Sequence, residues 1–179
     1  ERLFSHSVIV ATGGMSYPLT GSTGDGYRFA QQVGHTIAEI KPSLVPLVSF
    51  SEDCRDMQGL SLRNVKAALW DKSTGKVLFQ DLGEMLFTHY GMSGPLILSA
   101  SSHIRIFEPG RYEIRINLKP GLDDKQLDAR ILRDFAKYAN RDFINALLDL
   151  LPKKMIPIIV YRSRIPAFTK VNNITKEQR

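Results

Sequence analysis

Ala11-Thr12-Gly13-Gly14-Met15-Ser16-Tyr17-Pro18, followed closely by Gly21-Ser22-Thr23-Gly24-Asp25-Gly26, is the stretch on which the fold of this chain turns. Upstream lies Ser7-Val8-Ile9-Val10-Ala11, a β-branched apolar run of the kind that forms a strand buried on both faces of a mostly parallel sheet. Downstream, Tyr27, Phe29, Ala30 and Val33 fall on one helical stripe, and Gly34-His35 supplies the stop. Strand, glycine-rich turn and helix together bring backbone close to a phosphate or a planar cofactor. No alternation of strands and helices precedes the run, so the expected setting is a domain whose first half lies outside these residues.

The turn matches neither common phosphate-binding pattern. A Walker A loop ends in Lys-Ser/Thr, whereas Gly24-Asp25-Gly26 puts an acid where that lysine would stand. The dinucleotide fingerprint needs Gly-x-Gly-x-x-Gly between strand and helix, with an acid about twenty residues on, and that spacing is missing too. What the stretch offers is glycines at 13, 14, 21, 24 and 26, hydroxyls on Thr12, Ser16, Ser22 and Thr23, and the positive end of a helix. Spacing alone leaves open a tight turn that binds nothing.

Beyond Lys41-Pro42 the pattern changes to short strands. Residues 43–50 are apolar and interrupted by Pro46, as in an edge or entry strand. Val65, Ala67 and Leu69 alternate up to Trp70-Asp71, and Lys72-Ser73-Thr74-Gly75 reads as a hairpin turn into a strand over 76–80. A further strand is expected over 84–88, and Tyr112, Ile114, Ile116 and Leu118 alternate with Arg111, Glu113, Arg115 and Asn117. These predict a small antiparallel barrel or sandwich. Ser93 is the expected N-cap of a two-turn helix to about 102, with Pro95 in its first turn. After Lys119-Pro120-Gly121 the period is helical through Leu127, Ile131, Phe135 and Tyr138, then through Phe143, Leu147, Leu150 and Leu151. A third helix is expected over about 157–163, and Thr175 and Gln178 have capping-box spacing at the start of another.

A chain of 179 residues with 43% apolar residues can bury the core of one domain or two small ones. No apolar run approaches the roughly 20 residues that span a bilayer, and the first six residues lack the apolar segment of a secretory signal. The single cysteine, Cys54, has no internal disulfide partner and no Cys-x-x-Cys or neighbouring histidine, so a cytoplasmic setting and an inert thiol are expected. His6, His35 and His103 lack metal-ligand spacing, and no metal is expected. The net charge of +6 is local: seven Lys and Arg face one acid from Lys153 onward, while residues 1–152 balance at 17 and 17. Such a tail reads first as a solvated helical surface, and second as a docking face for an acidic partner or an anionic cofactor.

Two long motifs, in order, carry a resemblance. Val8-Ile9-Val10-Ala11-Thr12-Gly13-Gly14 with Gly21-Ser22-Thr23-Gly24-Asp25-Gly26-Tyr27, then Gly34-His35 and Pro42-Ser43-Leu44-Val45-Pro46-Leu47, resembles the bacterial FAD-dependent oxidoreductases of the aminoacetone oxidase or BaiN-type flavoprotein family. Leu86-Phe87-Thr88-His89-Tyr90-Gly91-Met92-Ser93-Gly94-Pro95 resembles a second hallmark of it. The shorter Ala-Thr-Gly-Gly and Thr-Gly-Asp-Gly pair is also similar to fumarate reductase-type flavoproteins. The resemblance implies an α+β chain: a Rossmann-like remnant of an FAD domain over 1–42, a small antiparallel barrel over 43–119 and a helical region over 120–179, the last two belonging to an insert. It implies an internal piece of a flavoenzyme that moves hydride or electrons, with FAD as cofactor, NAD(P)H as electron donor and a small-molecule substrate. Nucleic acid and membrane are not expected as partners, and the piece alone is expected to be inactive and to bind FAD weakly or not at all.

Position by position, the resemblance places Thr12, Gly13 and Gly14 along the FAD, with Ser16, Thr23, Gly24 and Asp25 nearer the flavin. Asp25 is either a ligand contact or a first-turn acid favoured by the helix dipole. His89, Tyr90 and Ser93 face flavin or substrate, and His89 is the candidate catalytic proton carrier because histidine is the residue type whose ordinary charge change lies nearest neutral pH. The competing reading is that this motif only docks barrel to nucleotide domain, with Ser93 as a cap. A rival for the whole chain is a non-catalytic binding module, barrel plus basic tail, for nucleic acid or an acidic protein. The strands carry no interleaved aromatic and basic face, which disfavours that rival.

Overall fold

The Lys72-Ser73-Thr74-Gly75 turn folds as its residues dictate in the computed structural model, which describes residues 4–179. Gly75 takes φ +67°, and the Asp71 carboxylate accepts from the Ser73 amide at 2.9 Å and the Ser73 hydroxyl at 2.6 Å. The turn joins β2 (Ser61–Asp71) to β3 (Lys76–Thr88), and these two strands form the spine of an antiparallel sheet. Among the described residues its order is β1 (Leu47–Val48), β4 (Gly91–Ser93), β3, β2, β5 (Tyr112–Asn117), so β1 and β5 are the two open edges of a curled half-barrel. The chain divides into two compact units, one up to Lys41 and one from Pro42 to Arg179, and the whole sheet belongs to the second.

The strands expected separately over 76–80 and 84–88 are one strand. Asp81, Leu82 and Gly83 read as a break, yet they pair with Ala67, Lys66 and Val65. Gly83 marks close approach rather than a turn, since a Cβ there would lie 3.2 Å from Leu96 on α3 (Pro95–Ser101). That helix lies on the sheet with Leu96, Ile97 and Ala100 buried.

Two glycines set how α3 is reached. A Cβ at Gly91 would meet the Leu47 carbonyl oxygen at 2.1 Å, so only glycine lets β4 lie against β1. Gly94 turns the chain from β4 into α3 at φ +91°, with a hypothetical Cβ 2.9 Å from the Met85 Cα. Gly94, not Ser93, precedes the helix, and no side chain caps it. Ser93 is held extended by pairing with Leu86, which leaves it unable to serve as the expected cap.

The helical expectations are met by α4 (Asp124–Lys137), α5 (Phe143–Ala146) with a 3₁₀ turn at Leu147–Asp149, and α6 (Ile156–Ser163). Asp123 and Gln126 form a capping box at α4, with the Gln126 amide donating to Asp123 at 2.8 Å and the Asp123 amide to Gln126 at 3.0 Å. Thr175 and Gln178 exchange the same pair of bonds at 3.0 and 3.3 Å. The segment opening α6 serves two cores: Met155 and Ile158 join Leu62, Val65, Met85, Phe87 and Ile97 under the sheet, while Ile156 and Val160 pack with Phe143, Leu147 and Ile165. Basic residues of the tail reinforce that joint. Lys154 donates to the Gln58 carbonyl at 2.7 Å, and Arg162 pairs with Asp53 on α2 (Asp53–Asp56). Cys54 lies in the first core as an isolated buried thiol.

In the first unit the expected strand over 7–11 is not formed. Val8, Ile9 and Val10 are exposed, Ile9 at 91%, because no strand among the described residues pairs with them. The helix does form, as α1 (Asp25–Gln32), and Gly34 at φ +89° follows its end as expected. No helix among the described residues is long and apolar enough to cross a membrane.

One charge pair ties β2 to the segment before β5. Arg111 reaches Asp71 with two bonds, Nε to Oδ1 at 3.1 Å and Nη2 to Oδ2 at 2.8 Å, and Asp71 is only 3% exposed. The Arg111 guanidinium first, and the Ser73 hydroxyl second, hold the Asp71 carboxyl far below the ordinary carboxylate range. A depressed carboxylate contributes stability that is whole above its unfolded value of about 3.9 and is lost as pH falls below it. The wild type is therefore expected to lose melting temperature more steeply below about pH 4 than Asp71→Asn, which starts lower at pH 7; matched calorimetric profiles would sink this role. Gly94→Ala is expected to cost on the order of 1–3 kcal/mol in denaturant unfolding, because it places a side chain in a conformation that suits glycine.

Candidate functional site

The two glycine motifs of the first unit close on one another. The Gly24 amide donates to the Gly14 carbonyl at 3.2 Å, which sets the start of α1 against the first turn. Gly13 and Gly24 take φ +70° and +85°, conformations that suit glycine. Three contacts then need missing side chains: a Cβ at Gly26 would meet the Thr12 hydroxyl at 2.5 Å, one at Gly24 would meet Met15 at 3.2 Å, and one at Gly13 would meet the Ser22 hydroxyl at 3.3 Å. The glycines are thus partly consumed in packing loop on loop.

What this leaves on the outside is backbone. Among the described residues the amides of Thr12, Gly13 and Gly14 donate to no protein acceptor, and those of Asp25 and Gly26 are first-turn helix donors. The Asp25 carboxylate pairs with Arg28 at 3.0 Å within its own helix turn, an exposed i,i+3 pair. Ser16 stands in the exposed bend before the 3₁₀ turn Pro18–Thr20, and Thr23 in the bend before Gly24. Thr12, Gly13, Gly14, Ser16, Thr23, Gly24 and Asp25 are therefore gathered in one unit as a glycine cradle. Free amides beside a helix start are the donor set that an anionic, phosphate-bearing cofactor needs, and the residues fit a portion of FAD.

His89 stands elsewhere in the chain, in the second unit, at the two-residue turn between β3 and β4. Its backbone surroundings are pinned: the Gly91 amide donates to the Thr88 hydroxyl at 3.1 Å, and the Ser49 amide to the Tyr90 carbonyl at 2.9 Å. The side chains are exposed, and the His89 ring packs edge-on against Tyr90 with centroids 4.8 Å apart. A rigid turn presenting an imidazole outward can carry a proton to a group brought to it.

Sequence inspection gave no sign of two cavities in the second unit. A cleft of about 1040 Å³ opens between the sheet edges, lined by Leu47 and Val48 of β1, Ile114 and Ile116 of β5, and Met155 and Ile158. A smaller one of about 540 Å³ lies between α4 and the other helices, lined by Leu127, Ile131, Phe135, Phe143 and Ile165. None of the residues singled out as site candidates lines either cavity. The alternation at Ile114 and Ile116 reveals an inward face, but not that the face borders open space.

Comparison with known proteins follows the same division of the chain. Residues 41–179 match the family model described as HI0933-like protein barrel and H2TH domain. The chain is 30% identical over 167 residues to a 3-dehydro-bile acid delta(4,6)-reductase of Clostridium scindens, covering 92% of this chain and 40% of that protein. It is 30% identical over 162 residues to the ribosomal RNA dihydrouridine synthase of Escherichia coli, covering 89% and 37%, and 31% identical over 154 residues to that of Haemophilus influenzae, covering 85% and 35%. The chain thus spans about two fifths of the length of these relatives. With its half-barrel and helices matched along most of its length, the chain belongs to the HI0933-like barrel and H2TH domain family.

Proposed function

We propose that the protein containing this chain uses FAD to reduce a carbon–carbon double bond conjugated to a carbonyl. The relatives' names support the chemistry: a 3-dehydro-bile acid with 4,6 unsaturation and a uridine that becomes dihydrouridine both present such a bond. The structural observation that supports the cofactor assignment is the set of amides at Thr12, Gly13 and Gly14, unpartnered among the described residues, beside the start of α1. When bound and reduced at the expense of NAD(P)H, the flavin would supply the hydride for the carbon β to the carbonyl, and the cradle at Thr12, Gly13 and Gly14 would hold part of that cofactor.

The chain's own residues then have distinct tasks. The cradle amides and the Ser16 and Thr23 hydroxyls would hold and orient part of the cofactor, while Gly24 keeps side-chain atoms away and Asp25, paired with Arg28, steadies the first turn. His89 holds the proton delivered to the carbon α to the carbonyl, completing the addition of two hydrogens. In this reading residues 1–42 belong to the nucleotide domain, 43–119 to the barrel and 120–179 to the helical part of an insert. The substrate and the FAD meet in a reducing, cytoplasmic compartment, consistent with the buried lone Cys54 thiol.

The full-length protein is expected to purify yellow with flavin absorbance; a colourless protein that takes up no FAD on titration would end the proposal. The 179-residue chain alone is expected to bind FAD weakly or not at all, and a tight stoichiometric complex would show that the cofactor site lies wholly within it. His89→Gln is expected to lower kcat by about 10²–10⁴-fold and to remove one limb of the pH–rate profile, with the flavin spectrum unchanged. An unaltered kcat would reduce the hairpin tip to a structural turn.

A further inference from the structure

The segment that opens the second unit holds a bend that its own side chains do not explain. Leu44 takes φ 54°, a left-handed conformation costly for a residue with a β-carbon, and its side chain is 62% exposed, so packing of that side chain does not hold it there. Strain of this kind persists where the surroundings over-determine the backbone. The next residue shows what does so. The half-buried Val45 amide donates to the Ser101 hydroxyl at 2.9 Å, across 56 positions of sequence, and that hydroxyl donates its own proton to the Leu98 carbonyl at 2.8 Å. Ser101 ends α3 and is fully buried. An alanine there would leave the Val45 amide without its acceptor.

From Val45 the chain runs directly to the hairpin tip. β1 pairs Leu47 with Met92 and Val48 with Gly91, and the Ser49 amide donates to the Tyr90 carbonyl at 2.9 Å. Tyr90 in turn makes the edge-on contact with the His89 ring. At two residues β1 is shorter than ordinary strands of roughly 3–10 residues, so its place depends on what anchors its ends. Ser101 anchors one end through Val45, and the Tyr90 carbonyl anchors the other. A line of contacts therefore joins the buried end of α3 to the turn that bears His89. On its other side the tip is held by the pairing of β3 with β4 and by the Thr88 hydroxyl, so losing Ser101 loosens the tip without unfolding it.

We propose that Ser101 is a positioning residue: by fixing Val45 it seats β1 against β4, and through the Ser49–Tyr90 bond it holds the turn from which His89 delivers its proton. Proton delivery needs that placement, because small displacements of a reacting group cost large factors in rate. The role rests on His89 as the proton carrier only for its effect on turnover.

The test compares full-length wild type with Ser101→Ala by amide hydrogen exchange at Val45 and Ser49, with Gly75 in the Lys72–Gly75 turn as the reference. Exchange at both Val45 and Ser49 is expected to quicken about tenfold or more, as for the loss of one hydrogen bond, with Gly75 unchanged. With cyclohexenone as the conjugated-carbonyl probe and NAD(P)H as donor, kcat is expected to fall about tenfold, while KM, flavin absorbance and the position of the pH–rate limb stay as in wild type. Ser101→Cys, close in size but a weak acceptor, is expected to lie between the two, and it carries the test if the alanine variant does not fold. Faster exchange at Val45 alone, with Ser49 and kcat unchanged, would overturn the proposal by reducing Ser101 to a local tie. A fall in kcat that tracked lost flavin or a raised KM would overturn it as well. Unaltered kcat in His89→Gln, with Ser49 exchanging faster in Ser101→Ala, would instead defeat the proton-carrier reading and leave the mechanical link from Ser101 to the tip standing.

Discussion

No side chain fits between β4 and β1. With the Leu47 carbonyl oxygen 2.1 Å from where a Cβ at Gly91 would stand, the strand pairing that extends the sheet to its first edge exists only because residue 91 is glycine. Three residues later Gly94 passes the chain over Met85 and launches α3, whose Leu96 fills the space above Gly83. The hairpin tip bearing His89, the edge strand β1 and the helix covering the sheet are all placed by this one short passage. The glycines of the second motif therefore have a complete explanation in close packing, and the chemistry assigned to the motif rests on His89 and Tyr90 alone.

A second dependence runs through α6. The segment around it puts Met155 and Ile158 into the sheet core and Ile156 and Val160 into the helical core, so neither region can move without disturbing the other. Arg162 with Asp53, and Lys154 with the Gln58 carbonyl, add polar contacts around that joint. The basic tail is in this sense structural.

The first unit shows the opposite balance. Its glycines bring loop against loop, yet Val8, Ile9 and Val10 stand exposed, and no residue described there is buried. The amides of Thr12, Gly13 and Gly14, unpartnered among the described residues, thus sit on a unit without a core of its own.

Local sequence by itself determined the elements whose signals are local. The Lys72–Gly75 turn, the capping boxes at Asp123 and Thr175, the alternation of β5 and the helical periods of α4 and α6 depend on residues within a few positions of each other. The glycine motifs also marked the cradle residues and the hairpin tip. Tertiary structure alone decided the rest, because the causes lie far apart in the chain. Residues 81–83 fell between two expected strands, and only the packing of Leu96 on Gly83 explains the glycine there; the run over 7–11 looked like a strand, but hydrogen-bonding partners are needed to make one. Ser93 had the chemistry of a cap, yet pairing with Leu86 holds it extended. The exposure of Tyr161 and Phe168 beside buried Ile165 could not be read from composition, since which side chains face water depends on what the remainder of the fold covers.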